Sequence, residues 1–453
     1  MAGSRSIKKI GILGHVGNKN LGDEAILAAV IQNVKRRYPG AEIYGFTLNP
    51  EDTKARHGIT AFPIRKIKGN HERPKRQENV GVPPQKSNEQ VSLRKLIITQ
   101  LKSLPQIYMF LKKVQKSLPL IRDSIKEPGF LISCYKALKG IDLLIIAGSQ
   151  QLIDFIGGAW GHPYTLFRWS MLGKAAKAKV IFLSVGAGPI RSSLSKIFIK
   201  ASLSQASYRS YRDESSKKLI EQIGVKGSNP VFPDLVYSLR SDGQTGTLVP
   251  SENPLPIVGI NPVPFSDPVY WPGSSAYIYE SYVKKLSDFA LWLIGRGYRI
   301  LFFPTQLNLD PPVIRDIRLC MGKNAGLDFQ AKIIYEPVNS FDDLVSSISM
   351  TSVVVACRFH GVIIPYLLNK PVLGIAYHRK TFELMEQMGQ SGYALDIHSF
   401  NCNSLQERFI SLESNSVAIR KEIEEKIMIS RQALESQYNQ VLRLLEEEKS
   451  QGC

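Results

Sequence analysis

Arg358, His360 and Lys380 are the residues of this chain whose types and spacing best suit joint chemistry. Val353, Val354 and Val355 form a continuous apolar run that suits a strand buried on both faces. It ends in Arg358, Phe359, His360 and Gly361. A short apolar helix follows, closed by Asn369, Lys370 and Pro371. A second run, Val372 to Tyr377, leads to His378, Arg379 and Lys380. A βαβ crossover makes the two strands parallel, with their carboxyl ends on one side. Open α/β sheets bind ligands at that edge. Two fixed cations beside a titratable imidazole suit an anionic substrate that needs a proton moved. A lone histidine is more often structural; the flanking Arg358 and Lys380 raise the odds for this one.

Other residues could serve the same chemistry. Arg212 ends a β-rich run and precedes Asp213. A surface ion pair there would be worth little; a strand-end guanidinium could instead grip a carboxylate or phosphate with two donors. Three small-residue loops follow three strands: Gly17 to Glu24, Ala147 to Gln151, and Gly186 to Pro189. Asn18, Gly22, Asp23, Gly148, Gly186 and Gly188 would line one crevice there, with backbone amides open to an anion. Each loop alone could be a plain turn, and the first is neither GxGxxG nor a P-loop. Glu336, after a short strand and before Pro337, could hold a sugar hydroxyl or be a solvated loop carboxylate.

These positions require an alternating scaffold. A strand over Lys9 to His15 is followed by a helix from about Leu21 to Arg37 and a strand over Glu42 to Phe46. Strands resume at Asp142 to Ala147, Lys179 to Val185 and Ser207 to Tyr211. Residues 241 to 255, rich in Gly, Ser, Pro and Asn, make a linker. Beyond it alternation restarts, with strands at Pro256 to Asn261, Arg299 to Phe303 and Lys332 to Tyr335, and helices at about Ala276 to Arg296 and Phe341 to Ser349. From about Ser416, apolar residues including Ile419, Ile423, Ile427, Leu434, Tyr438, Val441 and Leu445 recur near a 3.6 period. That long helix either packs across both halves or protrudes to pair with another chain. The expected fold is α/β: two doubly wound, Rossmann-like domains facing across a cleft, in a glycosyltransferase-B-like arrangement. Domain limits fall at 1–245, with a basic insertion at about 65–140, then 246–400, and a helical tail at 401–453.

At 453 residues, two domains are expected. The N-terminus reads directly as a first strand, not as a signal peptide. The five cysteines are scattered, with no zinc or disulfide spacing, which suits a reducing cytoplasm. The net charge is +19, but between Ile64 and Gly140 there are 17 Lys and Arg against 5 Asp and Glu, a net of +12. The rest is mildly basic, so no nucleic-acid partner is expected. Residues 91 to 121 read as short basic amphipathic helices. Two readings stand side by side: packing on the protein itself, or peripheral docking to an anionic membrane surface at its inner face.

The chain resembles the polysaccharide pyruvyl transferase family. GNKNLGDEAIL at 17–27 looks like that family's GN-x-GDE-type signature, with extra residues between Asn18 and Gly22. SYRDESS at 210–216 looks like its R-D-x-x-S element, and Pro233-Asp234 and RFHG at 358–361 also match. The resemblance spans about residues 8 to 395, outside the basic stretch. It implies transfer of a pyruvyl group from phosphoenolpyruvate, as co-substrate, to two sugar hydroxyls. The product is a pyruvate ketal and phosphate is released, with no metal or other cofactor. It implies His360 as acid/base, Arg212 and Lys380 on the donor's phosphate and carboxylate, and a sugar or glycan acceptor, free or lipid-linked. Arg358 fits as a further anion contact. The chain departs from the family at Gly148-Ser149-Gln150, where a GGG-like turn is common, and at Ala187, where Gln is common. The alternative on the same fold is a nucleotide-sugar-dependent glycosyltransferase. A non-enzymatic basic adaptor would leave the Gly-, Arg- and His-rich strand ends unexplained.

Overall fold

A computed structural model describes residues 7–66, 128–240, 255–271, 273–324 and 327–446. The chain divides into two compact units, Lys66–Lys139 and the remainder. Of the smaller unit the structure describes a helix over 128–138. The proposed amphipathic stretch 91–121 lies outside the described residues, as does nearly all of the linker, 241–255.

The larger unit holds two six-stranded sheets. The first comprises β1 (Lys9–Leu13), β2 (Glu42–Thr47), β3 (Thr60–Pro63), β4 (Leu143–Ala147), β5 (Lys179–Val185) and β6 (Tyr208–Tyr211), in the order β3-β2-β1-β4-β5-β6. The second comprises β7 (Ile257–Asn261), β8 (Arg299–Phe302), β9 (Ile333–Ile334), β10 (Val353–Ala356), β11 (Val372–Ala376) and β12 (Ala394–Asp396), in the order β12-β11-β10-β7-β8-β9. All pairings are parallel. This is the two-domain α/β, glycosyltransferase-B-like fold. Parallel strands covered on both faces must be apolar throughout, and β4 and β10 are buried at every residue.

The strand orders fix where a site can form. Each sheet reverses direction once, between β1 and β4 and between β7 and β10, and a crevice opens at the carboxyl ends there. Helix α1 (Leu21–Arg37) starts at the first reversal, capped by the Asn20 side chain on the Gly22 N–H. Loop 148–152 follows β4 at the same place. At the second reversal, Arg358 to Gly361 follow β10.

Several elements went unread in the sequence, among them α2 (Pro50–His57) and β3, which follow β2. The remaining helices of the first half are α3 (His162–Ala175), α4 (Ser193–Ser204) and α5 (Glu214–Gln222). The second half contributes α6 (Ala276–Gly295), α7 (Asp310–Asn324), α8 (Phe341–Ser349), α9 (Phe359–Leu367), α10 (Arg379–Gln387), α11 (Cys402–Ser414) and α12 (Ser416–Arg443).

Helix α12 packs across both halves. Arg420 donates to the carbonyls of Asn369 and Ser352 in the second, while Gln437 bonds Ser210 at 2.6 Å and Ser184 at 3.1 Å in the first. Its buried stripe is Ile419, Ile423, Ile427, Leu434, Tyr438, Val441 and Leu442.

Candidate functional site

The two crevices contribute to one cluster. His360, in the first turn of α9, lies against the first turn of α1. A Cβ at Gly22 would stand 2.0 Å from both Cγ and Nδ1 of the His360 ring, so only glycine admits the ring there. His360 Nε2 is buried and has no hydrogen-bond partner among the described residues. Burial pulls its pKa down to about 4; Asp234 opposes this, and Arg212, Lys380 and Arg358 reinforce it. At neutral pH the imidazole is therefore uncharged.

Arg212, at the end of β6, donates from Nη1 to Asp234 Oδ2 at 3.1 Å. Its Nε lies 3.6 Å from the Asp213 carboxylate but makes no hydrogen bond to a described residue. Asp213 is fixed as the cap of α5, accepting from the Ser216 N–H at 2.7 Å. Two cationic side chains approach the Phe359 ring: Arg212 Cζ is 4.4 Å and Lys380 Nζ 5.4 Å from its centroid. Lys380 Nζ donates to Gln150 Oε1 at 2.7 Å. Burial and the Arg212 charge bring the Lys380 pKa down to about 7, against the pull of Asp23, Asp213 and Asp234. Beside this group opens a cavity of about 270 Å³, lined among others by Arg212, Asp234, Phe359, Lys380, Met388 and Ile429. His360 is outside its lining.

Asp23 is a second group whose proton is poised near neutrality. A carboxylate in the first turn of a helix is normally favoured by the dipole. Here burial dominates, with Glu24 and Asp234 adding to it, and the pKa rises to about 7 despite the Ser149 hydroxyl bond at 2.7 Å and the Lys380 charge. No hydrogen bond to a described residue engages its second oxygen.

The structure thus brings together His360, Arg212, Lys380, Gly22 and Asp23. Arg358 sits at the same edge but is committed elsewhere: its Nε donates to Asp310 Oδ1 at 2.7 Å and its Nη2 to the same oxygen. Asp310 is fully buried and also accepts the Thr305 and Gln306 N–H groups. Glu336 is exposed, with no hydrogen bond or ion pair to the described residues of the cluster. Asn18 joins the halves: its carbonyl accepts from the Gln306 and Asn308 side chains, and its own side chain accepts from the Asn20 N–H.

The expectation of open glycine amides is corrected. The Gly17 N–H is taken by Glu24 and that of Gly22 by Asn20. Gly148 donates to Leu183, Gly186 to Ser149, and Gly188 to Leu152. The small residues let the loops after β4 and β5 pair with each other, which consumes their donors. The close approach they permit serves the side chains instead: a Cβ at Gly186 would stand 2.7 Å from Arg212 Nη2. Asp234, Asp310 and Gln150 were not among the expected site residues. Asp234 was signalled by the Pro233-Asp234 pair, and Gln150 by the departure at 148–150.

A family model described as polysaccharide pyruvyl transferase matches residues 20–379. An amylovoran biosynthesis protein, AmsJ of Erwinia amylovora, is 21% identical over 308 residues, covering 66% of this chain and 72% of that protein. Among solved structures, a UDP-GlcNAc 2-epimerase from Neisseria meningitidis, bound to UDP-GlcNAc, superposes with a TM-score of 0.54 at 12% identity, covering 98% of this chain and 100% of that one. A glycosyltransferase from Rickettsia africae gives 0.52 at 11% identity over 98% and 100%. These two likenesses establish the fold.

Proposed function

Because this chain belongs to the polysaccharide pyruvyl transferase family, we propose that its cleft moves a pyruvyl group from phosphoenolpyruvate onto two hydroxyls of a glycan precursor, forming a ketal and releasing phosphate. The observation that carries this reading is the approach of two cationic side chains, Arg212 and Lys380, to the Phe359 ring, together with a neutral His360 whose Nε2 has no hydrogen-bond partner among the described residues. A donor carrying carboxylate and phosphate needs the cations. Addition of a hydroxyl needs a base, and saturation of the donor's methylene needs an acid.

His360 and Asp23 divide these roles. As the donor's methylene is protonated, the first hydroxyl attacks the phosphate-bearing carbon and passes its own proton to His360. Asp23 gives a proton to the methylene, making a methyl group. The C–O bond to phosphate breaks, and phosphate leaves with the proton held by His360. The second hydroxyl attacks the resulting oxocarbenium carbon and returns a proton to Asp23. Two hydroxyl protons enter; one ends on carbon and one on phosphate. Arg212 and Lys380 stabilise the charge that develops on the leaving group. His360 Nε2 is covered in the free protein, so the side chains over it must shift when substrate binds.

The test is incubation with phosphoenolpyruvate and a panel of sugar acceptors, following phosphate release. Substitution His360→Ala should abolish release while leaving the fold intact. Retained release sinks the assignment, as does stabilisation by a nucleotide sugar and not by phosphoenolpyruvate.

A further inference from the structure

The loop between β4 and α3 carries a surface feature that transfer chemistry does not use. Phe155 is 65% exposed and Trp160 67%. Between them lie Ile156, also exposed, and two glycines with φ of +78° and +61°. The Trp160 ring rests on Tyr164 and Phe198, with centroids 5.3 and 5.5 Å away, so it is propped outward on an aromatic base. Phe198 belongs to α4, whose neighbouring Ile197 is 60% exposed. Exposed Arg191, Lys196 and Lys200 stand around it on the same segment.

Of the two segments that form the patch, 155–161 carries no charged residue and 191–200 carries three cations and no carboxylate. From Phe155 to Arg212 there is no Asp or Glu, against nine Lys and Arg. The preceding carboxylate, Asp154, is buried and occupied by the N–H groups of Arg191 and Ser192 at 2.7 and 2.8 Å. Protruding aromatic and aliphatic side chains ringed by cations match the boundary of an anionic bilayer, where Trp sits at headgroup depth and Lys and Arg meet lipid phosphates. A sugar-stacking platform would need amide or carboxylate partners for hydroxyls. Residues 155–161 and 191–200 contain no Asp, Glu, Asn or Gln.

We propose that the 155–161 loop and the exposed face of α4 form a docking surface for an anionic lipid bilayer. The loop follows β4 on the strand-end side of the sheet, and Gln150, five residues before Phe155, bonds Lys380. Docking there turns the cleft edge toward a membrane-anchored acceptor, the one point that rests on the proposed function; docking itself does not.

The experiment is co-sedimentation of the full chain with vesicles of phosphatidylcholine alone or with about a third phosphatidylglycerol, at about 0.1 M salt. Three variants are compared: F155S/W160S/I197S, K196E/K200E and W160F. We expect binding to the anionic vesicles only, a loss of about tenfold or more in partitioning for the first two variants, and a vesicle-induced blue shift of tryptophan emission that W160F removes. Unchanged melting temperatures show that the variants fold. Absence of binding by the unaltered chain, or equal binding by the variants, overturns the proposal. So does a change in self-association by sedimentation velocity with vesicle binding intact, which would assign the patch to a second copy. Displacement by a neutral soluble polysaccharide would assign it to glycan and overturn it equally. None of these readouts depends on phosphate release.

Discussion

Gly22→Ala is the most direct probe of how the two halves share a site. The added Cβ would stand 2.0 Å from His360 Cγ and Nδ1. Ordinary contact between such atoms begins near 3.5 Å, so ring and backbone must separate by more than about 1 Å. Relaxing that overlap should cost about 1–3 kcal/mol of stability, which leaves the chain folded. Misplacing a reacting group by about 1 Å can cost about 10²-fold in rate. The variant should therefore melt a few degrees lower and lose about 10²-fold in kcat/KM for phosphoenolpyruvate, measured with an acceptor that the unaltered chain turns over. Gly295→Ala is the control: no atom lies within 4 Å of its added Cβ, so neither quantity should move appreciably. A Gly22→Ala protein within about threefold of the unaltered kcat/KM would refute the contact, or His360's part in the reaction.

The raised pKa of Asp23 has a definite sign: a carboxyl near 7 in the folded chain and near 3.8 when unfolded contributes stability that is lost as pH rises between those values, on the order of 4 kcal/mol. Asp23→Asn should accordingly gain stability relative to the unaltered chain at pH 8 but not at pH 4 by urea unfolding; an equal difference at both would refute the shift. In kinetics, the unaltered kcat/KM should fall above about pH 7, where Asp23 loses its proton. Arg358→Ala leaves Asp310 buried without its ion pair and should cost about 3–5 kcal/mol; a melting temperature within a degree or two of the unaltered value would show the pair to be dispensable. Phosphoenolpyruvate brings negative charge to Lys380 and Asp23, both poised near 7, and should draw protons onto them. Calorimetry near pH 7.5 in two buffers of different ionisation enthalpy should detect net proton uptake, reduced in Lys380→Met; equal heats in both buffers would refute it.

The unit β10-α9-β11 was legible because its apolar runs leave few alternatives and strand ends are where polar residues must emerge. Arg212 was legible for the same reason. The partner of Arg358 was not: Asp310 lies 48 residues away, beyond β8, and sequence gives no sign that its carboxylate turns inward. The glycine loops misled because composition shows that backbone can approach closely but not what it approaches. Here it approaches other backbone, and the amides pair. Asp23 read as one of the residues lining a ligand crevice; its burial, which the sequence does not show, depends on β4's loop and on Lys380 from the other half. Short α2 and β3 were missed because α2 buries only Thr53 and so carries almost no apolar period.

The site is divided between sheets: Gly22, Asp23 and Arg212 come from the first half, and Phe359, His360 and Lys380 from the second. Its geometry is therefore a property of the contact between halves. Among the described residues, two of the features that hold that contact lie on opposite sides of it. Near the chemistry, Leu21 donates to Thr305 and Leu307 to Lys19, at 2.9 and 3.0 Å, clamping the start of α1 to the loop after β8. Behind the sheets, α12 runs 28 residues, about 42 Å at 1.5 Å per residue, from the Asn369 and Ser352 carbonyls to Ser210 and Ser184. The clamp involves residues immediately before Gly22, and the loop it holds leads to Asp310, which fixes Arg358 two residues before His360. Shifting that loop thus acts on both sides of the Gly22–His360 contact. The GN-x-GDE-like segment works here less as an anion cradle than as the joint that sets Gly22 against His360.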